Sequence, residues 1–164
     1  NGGGTSPNLT GILNASIQSV AYSTATYSNK ADTVLRALVV IATANEPAPT
    51  GIVMNPLNWE TMRLLRESGS GSSGSGQYLM GSPMTEAATT LWGLPVVVSN
   101  RIASGTALVG NFAVGAKLHL REDATIKVGM ANDDFTRNIV RVLAEMRAAL
   151  TVRRPSSFAK VTSL

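Results

Sequence analysis

His119 is the only histidine in the chain and therefore the first candidate for a general base. A serine hydrolase would use such a residue to activate a serine, but no serine here stands in a nucleophile motif. The neighbours Lys117, Leu118, Leu120 and Arg121 indicate a strand or a strand edge. We therefore favour a structural role for His119, and a small hydrolase that uses it stays open as a less favoured alternative.

Two adjacent carboxylate pairs could approach a divalent cation, Glu122-Asp123 and Asp133-Asp134. Adjacent residues on a strand point to opposite faces of the sheet, and adjacent carboxylates in a loop are usually solvated. The chain also has no cysteine, which excludes disulfides and thiolate metal sites and fits a reducing cytosol. We expect no metal and no cofactor.

The segment Ser68–Gly76 contains only serine and glycine, and its residues 69–74 match the dinucleotide-binding fingerprint letter for letter. That fingerprint needs a preceding strand and a following helix, so that the pyrophosphate meets free N–H groups. This copy follows a predicted helix and lies in low-complexity sequence, which indicates chance. The segment predicts a mobile loop, either a natural insertion or an engineered linker.

The composition limits the class of protein. A chain of 164 residues fits one domain, or one domain plus part of another. Apolar residues make up 44% and charged residues 15%, which indicates either a well-packed single domain or a surface partly covered by neighbours. No apolar run is long enough to span a membrane, and no signal peptide opens the sequence.

The net charge of +4 is too small and too dispersed to indicate a sequence-reading nucleic-acid-binding protein. The nearest approach to a basic cluster is Arg153-Arg154, with Arg137, Arg141 and Arg147 nearby. A solvated or interfacial face is the favoured interpretation of these residues.

Two helices are predicted in the first half. Asp32 is a plausible N-cap for a helix that ends before Pro47 and Pro49. Asn55 caps a second helix, with Pro56 tolerated in its first turn. The apolar positions of the two helices are Leu35, Leu38, Val39 and Ala42 in the first and Trp59, Met62 and Leu65 in the second. Packing in the core or between elements is the expected role of Trp59, and also of Trp92 farther along the chain.

Short strands are predicted at Gly51–Met54, Val96–Ser99, Ala107–Val109 and Thr125–Val128. Residues 135–152 are ambiguous, because they carry both a helical apolar stripe and a strand-like alternation. Length alone favours a helix.

The most specific pattern lies in the last third of the chain, with one further block near its start. The blocks are Gly2-Gly3-Gly4-Thr5-Ser6-Pro7-Asn8-Leu9-Thr10-Gly11-Ile12-Leu13, Leu91-Trp92-Gly93-Leu94-Pro95-Val96-Val97-Val98, Ala107-Leu108-Val109-Gly110-Asn111-Phe112, Asp134-Phe135-Thr136-Arg137-Asn138, Glu145-Met146-Arg147-Ala148-Ala149-Leu150, Arg154-Pro155 and Phe158-Ala159-Lys160-Val161. Their order and spacing resembles the C-terminal half of tailed-phage major capsid proteins of the Hong Kong ninety-seven type.

This resemblance implies an α+β fold, a central sheet flanked by helices with a long strand segment from the peripheral domain. Residues 13–113 and 153–164 would form the axial domain, and residues 1–12 and 114–152 part of the peripheral domain. It also favours a strand over 135–152, with Val142, Met146 and Leu150 on its buried face. Arg141, Glu145 and Arg147 would lie on the opposite face.

The function implied is structural: hexamers and pentamers that close an icosahedral phage head around DNA, made in the bacterial host cytoplasm. The implied partners are further copies of the chain, with scaffold, protease and portal proteins, and only non-specific contact with DNA. A cellular shell of the encapsulin type shares the fold and stays open as an alternative.

The resemblance places Asn138 at the position of an asparagine that forms an intersubunit isopeptide bond with a lysine in the founding member, and Glu145 at the position of the glutamate that accepts the proton. The lysine of that bond belongs to an N-terminal half of the family that does not match this sequence. The sequence also opens on Asn1 and glycines rather than methionine, which predicts a processed or truncated subunit. We expect such a chain to form no crosslink and to assemble poorly by itself.

Overall fold

The computed structural model describes residues 2–3, 5, 8–26, 29–66, 76–80 and 89–164. Residues 68–75 of the predicted Ser/Gly loop lie outside this part of the chain. Within it, a six-stranded mixed sheet and a separate two-stranded antiparallel ribbon contain the regular β structure. The helices in this part are α1 (Lys30–Thr43), α2 (Pro56–Arg63) and the short α3 (Phe112–Gly115).

The strands of the six-stranded sheet are β1 (Gln18–Ala21), β2 (Gly51–Met54), β3 (Thr90–Leu91), β4 (Leu94–Val98), β5 (Thr106–Gly110) and β8 (Phe158–Thr162). Their order across the sheet is β1-β8-β5-β2-β4-β3. β1 pairs with β8 and β2 with β4 in parallel, whereas β5 runs antiparallel to both β2 and β8. The predicted strands at 51–54, 96–99 and 107–109 are therefore present, with bounds shifted by a residue or two.

Helix α1 begins three residues earlier than the proposed cap implies. Asn29 is the N-cap: its side-chain oxygen accepts from the Asp32 N–H at 3.0 Å, and the Asp32 carboxylate accepts from the Asn29 N–H at 3.2 Å. Asp32 is therefore the distal member of a capping box, and its prediction as the N-cap was wrong. By contrast, Asn55 caps α2 as predicted, accepting from the Leu57 N–H at 3.0 Å.

The buried face of α1 also differs from the predicted stripe. Thr33, Val34, Ala37 and Ile41 are buried, whereas Leu35 and Val39 are 38% and 39% exposed. One residue of offset turns a helix face by about 100°. The apolar residues on both sides of α1 concealed which side meets the sheet.

The main core lies between α1 and one face of the six-stranded sheet. Its sheet side includes fully buried Ile52, Met54, Val109 and Val161. Met62 of α2 is buried in the same core, and Trp59 packs against it while half-buried. A smaller cluster on the other face contains Ile102, Leu108 and Phe158.

Trp92 contacts a neighbouring element rather than the core, which is one of the two roles expected for it. It occupies a two-residue turn between β3 and β4, with φ of 54°, next to Gly93 with φ of 78°. Such turns match the twist of the strands they join, and positive φ favours glycine. The Trp92 side chain is 48% exposed, and its indole N–H donates to the Ala31 carbonyl at 2.9 Å. Trp92 thus ties this hairpin to the start of α1.

Candidate assembly surface

The ribbon consists of β6 (Ala116–Gly129) and β7 (Arg141–Val152). Their antiparallel pairing runs from Ala116 opposite Val152 to Gly129 opposite Arg141. Two register shifts lie between Leu120 and Thr125, so that six residues of β6 span four of β7. An even number of extra residues leaves the alternation of side chains intact on either side of the bulge.

One face of the ribbon is almost entirely apolar. The pairs Leu118–Leu150 and Leu120–Ala148 lie on the same side as Ile126–Ala144 and Val128–Val142, because residues of equal parity on β7 share a face. Six large side chains of this apolar face are 55–72% exposed: Leu118, Leu120, Ile126, Val128, Val142 and Met146. In the part of the chain that the structure describes, nothing covers them.

The opposite face of the ribbon is polar. Lys127 donates to the Glu145 carboxylate at 2.7 Å, and Arg147 lies 3.3 Å from the Glu122 carboxylate. His119 lies opposite Ala149, and its ring contacts the hydroxyl of Thr151, a neutral residue, at 3.1 Å. The side chains of both ion pairs are at least about one-third exposed, so each pair contributes little to stability in water.

The loop at the tip of the ribbon is fixed by Asp134. Its side chain is almost fully buried and accepts from the Ala131 N–H at 2.9 Å and from Arg141, whose Nη2 lies at 3.0 Å. The Arg141 hydrogen bond, and then the backbone N–H, hold the pKa of Asp134 below its usual range. The same contact raises the pKa of Arg141. This fixed loop leaves Phe135 80% exposed.

The base of the ribbon is fastened to the sheet by a second carboxylate. Glu46, which follows α1, accepts from the hydroxyls of Ser157 at 2.6 Å and Ser156 at 2.7 Å, and from Arg154 at 3.4 Å. These contacts, led by Ser157, lower the pKa of Glu46. The N–H groups of Arg153 and Arg154 both donate to the Gly115 carbonyl, at 2.8 and 3.1 Å.

The family model described as "Phage capsid family" matches residues 1–163. The chain belongs to the phage capsid family.

Similar sequences and structures support membership of this family. The chain is 35% identical over 166 residues to the major capsid protein of Enterobacteria phage HK97, covering 99% of this chain and 40% of that protein. The capsid of a native GTA particle superposes with a TM-score of 0.71 at 18% identity, covering 98% of this chain and 57% of that one. The SrpI encapsulin of Synechococcus elongatus PCC 7942 shares the fold more distantly, with a TM-score of 0.54 at 13% identity and coverage of 94% and 56%. The resemblance and the fold predicted from the sequence are confirmed, and the phage capsid is favoured over the encapsulin alternative.

The strand predicted over residues 135–152 is present only in part. β7 begins at Arg141, because residues 132–134 form a 3₁₀ turn and the Ile139 N–H donates to the Asp134 carbonyl at 2.9 Å. The prediction that Val142 and Met146 are buried was wrong, since they are 67% and 59% exposed. A two-stranded ribbon has no core of its own, so its apolar face is buried only by something packed on it.

Asn138 and Glu145 lie on different elements. Asn138 is in the tip loop with a left-handed φ of 54°, and Glu145 is in the middle of β7 on the polar face, bound to Lys127. No group of three or more histidine, cysteine or carboxylate side chains among the described residues could hold a metal ion. No helix in those ranges is long and apolar enough to cross a membrane.

Proposed function

We propose that this chain is the C-terminal part of a phage major capsid subunit, which forms hexamers and pentamers of an icosahedral head enclosing DNA. The sequence spans 40% of the HK97 major capsid protein that it matches, so the activity of the whole subunit is an inference. The observation that carries the proposal is the uncovered apolar face of the ribbon. We also propose that the role of the chain is structural rather than catalytic. The protein would be made in the host cytoplasm and become part of the virion.

The size of the apolar face supports an interaction surface. At fractional exposures of 55–72%, its six large side chains present on the order of 600 Å² to solvent, against about 800 Å² per partner in a standard interface. Contiguous apolar patches of this size on soluble proteins usually mark interaction sites. We assign the cover of this face to a part of the subunit beyond these 164 residues.

The two sheets support the assignment of domains. The six-stranded sheet and its helices correspond to the proposed axial domain, residues 13–113 and 153–164, and the ribbon to the peripheral residues 114–152. Contacts between subunits then involve the polar face and the fixed tip loop with Phe135. Scaffold, protease and portal proteins are proposed partners of the full shell. Asn138 and Glu145 are proposed to form no crosslink here, because the lysine of that bond belongs to the half of the family that does not match this sequence.

Electron microscopy and sedimentation velocity of the purified chain test this proposal. We expect monomers or small rings at micromolar concentration, with the apolar face binding a hydrophobic dye. The double substitution Val142→Thr and Met146→Thr should reduce both dye binding and the self-association that the uncovered apolar face causes in this chain. The matched control Leu35→Gln and Val39→Gln, which removes two exposed apolar residues of α1, should leave both nearly unchanged.

Three outcomes would contradict parts of this proposal. Closed shells from this chain alone would show that no covering segment is needed. Equal effects of the two double variants would show that the ribbon face is no more adhesive than the rest of the surface. Turnover in an esterase or peptidase panel, lost on His119→Ala, would favour the hydrolase alternative.

A further inference from the structure

A cavity of about 620 Å³ lies at the base of the ribbon, beside α3. It is lined by Ala113, Val114, Ala116, Lys117, Arg153 and Arg154. Lys117 is 36 residues from Arg153 in sequence, and the ribbon brings them together. Lys117 pairs with Thr151 at the first rungs of the ribbon, and Arg153 directly follows β7.

The lining is cationic and largely unneutralised. Within the described ranges, neither Lys117 nor Arg153 forms an ion pair. Arg154 reaches Glu46 at 3.4 Å, but that carboxylate also accepts two shorter bonds from Ser156 and Ser157. Three positive side chains thus line one concavity that has no carboxylate in its described lining, and Glu46, which Arg154 reaches, is already occupied.

The backbone around the cavity is already satisfied, so the side chains would do the binding. The N–H groups of Ala113 and Val114 both donate to the Asn111 side-chain oxygen at 3.1 Å. Those of Arg153 and Arg154 donate to the Gly115 carbonyl. Guanidinium and ammonium groups match phosphate oxygens, the guanidinium by paired N–H donors. The lining has no aromatic or amide side chain to stack on or read a base.

We propose that Lys117, Arg153 and Arg154 form a binding site for phosphate groups of a nucleic-acid backbone, without sequence preference. The assignment of nucleic acid rests on the proposed function as a shell around DNA, whereas the anion site itself rests on the cavity. Neutralising two or three phosphates should give weak affinity, with a Kd of roughly 10⁻⁴ to 10⁻⁶ M at physiological salt.

Fluorescence anisotropy of a labelled duplex, titrated with the full 164-residue chain over a range of salt concentrations, tests the site. Binding should weaken with salt at a logarithmic slope of about −0.9 per phosphate contacted. The double variant Lys117→Ala and Arg153→Ala should reduce the size of that slope by about two. Arg154 is kept, because its contact with Glu46 helps to fasten the ribbon.

The charge-matched control is Arg36→Ala with Arg63→Ala, two exposed arginines on α1 and α2 that form no ion pair among the described residues. It should keep the wild-type slope, and circular dichroism should show both variants folded. Equal losses in the two variants would overturn the proposal, since binding would then follow net charge alone. An unchanged slope for Lys117→Ala and Arg153→Ala would overturn it as well.

Competition at constant ionic strength distinguishes the possible ligands. Displacement of the duplex by a second duplex of unrelated sequence, but only weakly by inorganic phosphate or polyaspartate, supports the proposal. Inorganic phosphate that binds as tightly as the duplex would make this a site for free phosphate. Polyaspartate that competes equally would make it a docking site for an acidic protein segment. None of these results depends on shell formation, which electron microscopy tests separately.

Discussion

Phe158 should control the stability of the junction between sheet and ribbon, because two glycines make room for its ring. The ring is fully buried and meets Phe112 edge to face, with centroids 5.5 Å apart. A Cβ at Gly115 would lie 2.5 and 2.8 Å from two ring atoms of Phe158 and would meet no backbone atom among its nearest neighbours. A Cβ at Gly110 would lie 2.3 Å from the ring and also 2.7 Å from the Ser157 carbonyl oxygen.

These contacts determine how much each substitution should change the free energy of unfolding. Phe158→Ala should lower the free energy of unfolding by about 3–5 kcal/mol, the usual cost of an emptied aromatic site. Gly115→Ala should cost about 1–3 kcal/mol by overpacking. In the Phe158→Ala background the new methyl group fits the vacated space, so the double variant should be more stable than additivity requires by about 1–3 kcal/mol. Gly110→Ala should regain less stability in the Phe158→Ala background, because its methyl group would still meet the Ser157 carbonyl oxygen.

Urea unfolding followed by tryptophan fluorescence measures the four free energies of each cycle. Gly129→Ala is the control, since its Cβ would meet nothing within 4 Å, and it should change stability by no more than about 0.5 kcal/mol. An additive cycle for Gly115 and Phe158 would refute the steric argument. Equal recovery in the two cycles would show that the Ser157 carbonyl moves aside.

Further changes should have smaller or conditional effects. Thr33→Val should raise the free energy of unfolding by about 1 kcal/mol in urea titrations, because the Thr33 hydroxyl is buried without a hydrogen-bond partner; Thr33→Ser, which keeps the hydroxyl, should not. Met146→Ala should change the stability of the monomer by no more than about 0.5 kcal/mol, because the side chain is 59% exposed. The lowered pKa values of Glu46 and Asp134 mean that the unfolded chain binds more protons in acid. Their contribution is therefore complete above the usual carboxyl range, about pH 4–5, and lost as pH falls through the folded-state pKa values; Glu46→Gln and Asp134→Asn should each flatten this acid loss in urea midpoints.

Short sequence patterns predicted those helices and strands whose start or spacing depends on neighbouring residues. Asn55-Pro56 gave the start of α2, but the alternation after Arg141 left strand and helix both open, and length alone favoured a helix. The start of α1 was misplaced because Asn29 and Asp32 are both good caps, and only the reciprocal hydrogen bonds distinguish their roles. The family resemblance, rather than periodicity, decided the strand.

Contacts between distant segments had no signal in the sequence. Glu46 meets Ser157 across 111 residues, and the cationic cavity joins Lys117 to an arginine pair that looked like an ordinary solvated cluster. None of these residues stands out within its own segment. They come together only because β6 and β7 return the chain to the end of the sheet.

The apolar face of the ribbon shows why a strand can be predicted correctly while the burial of its side chains is predicted wrongly. Alternation follows from the pleat and needs only one partner strand, which β6 supplies. Burial of Val142 and Met146 needs a further layer, and a two-stranded ribbon cannot provide it from its own residues. The sequence thus specifies which side of the ribbon is to be covered, whereas the covering polypeptide must come from beyond the ribbon. Under the proposed function, the apolar face of the ribbon gains its stabilising contacts only when the rest of the subunit is in place.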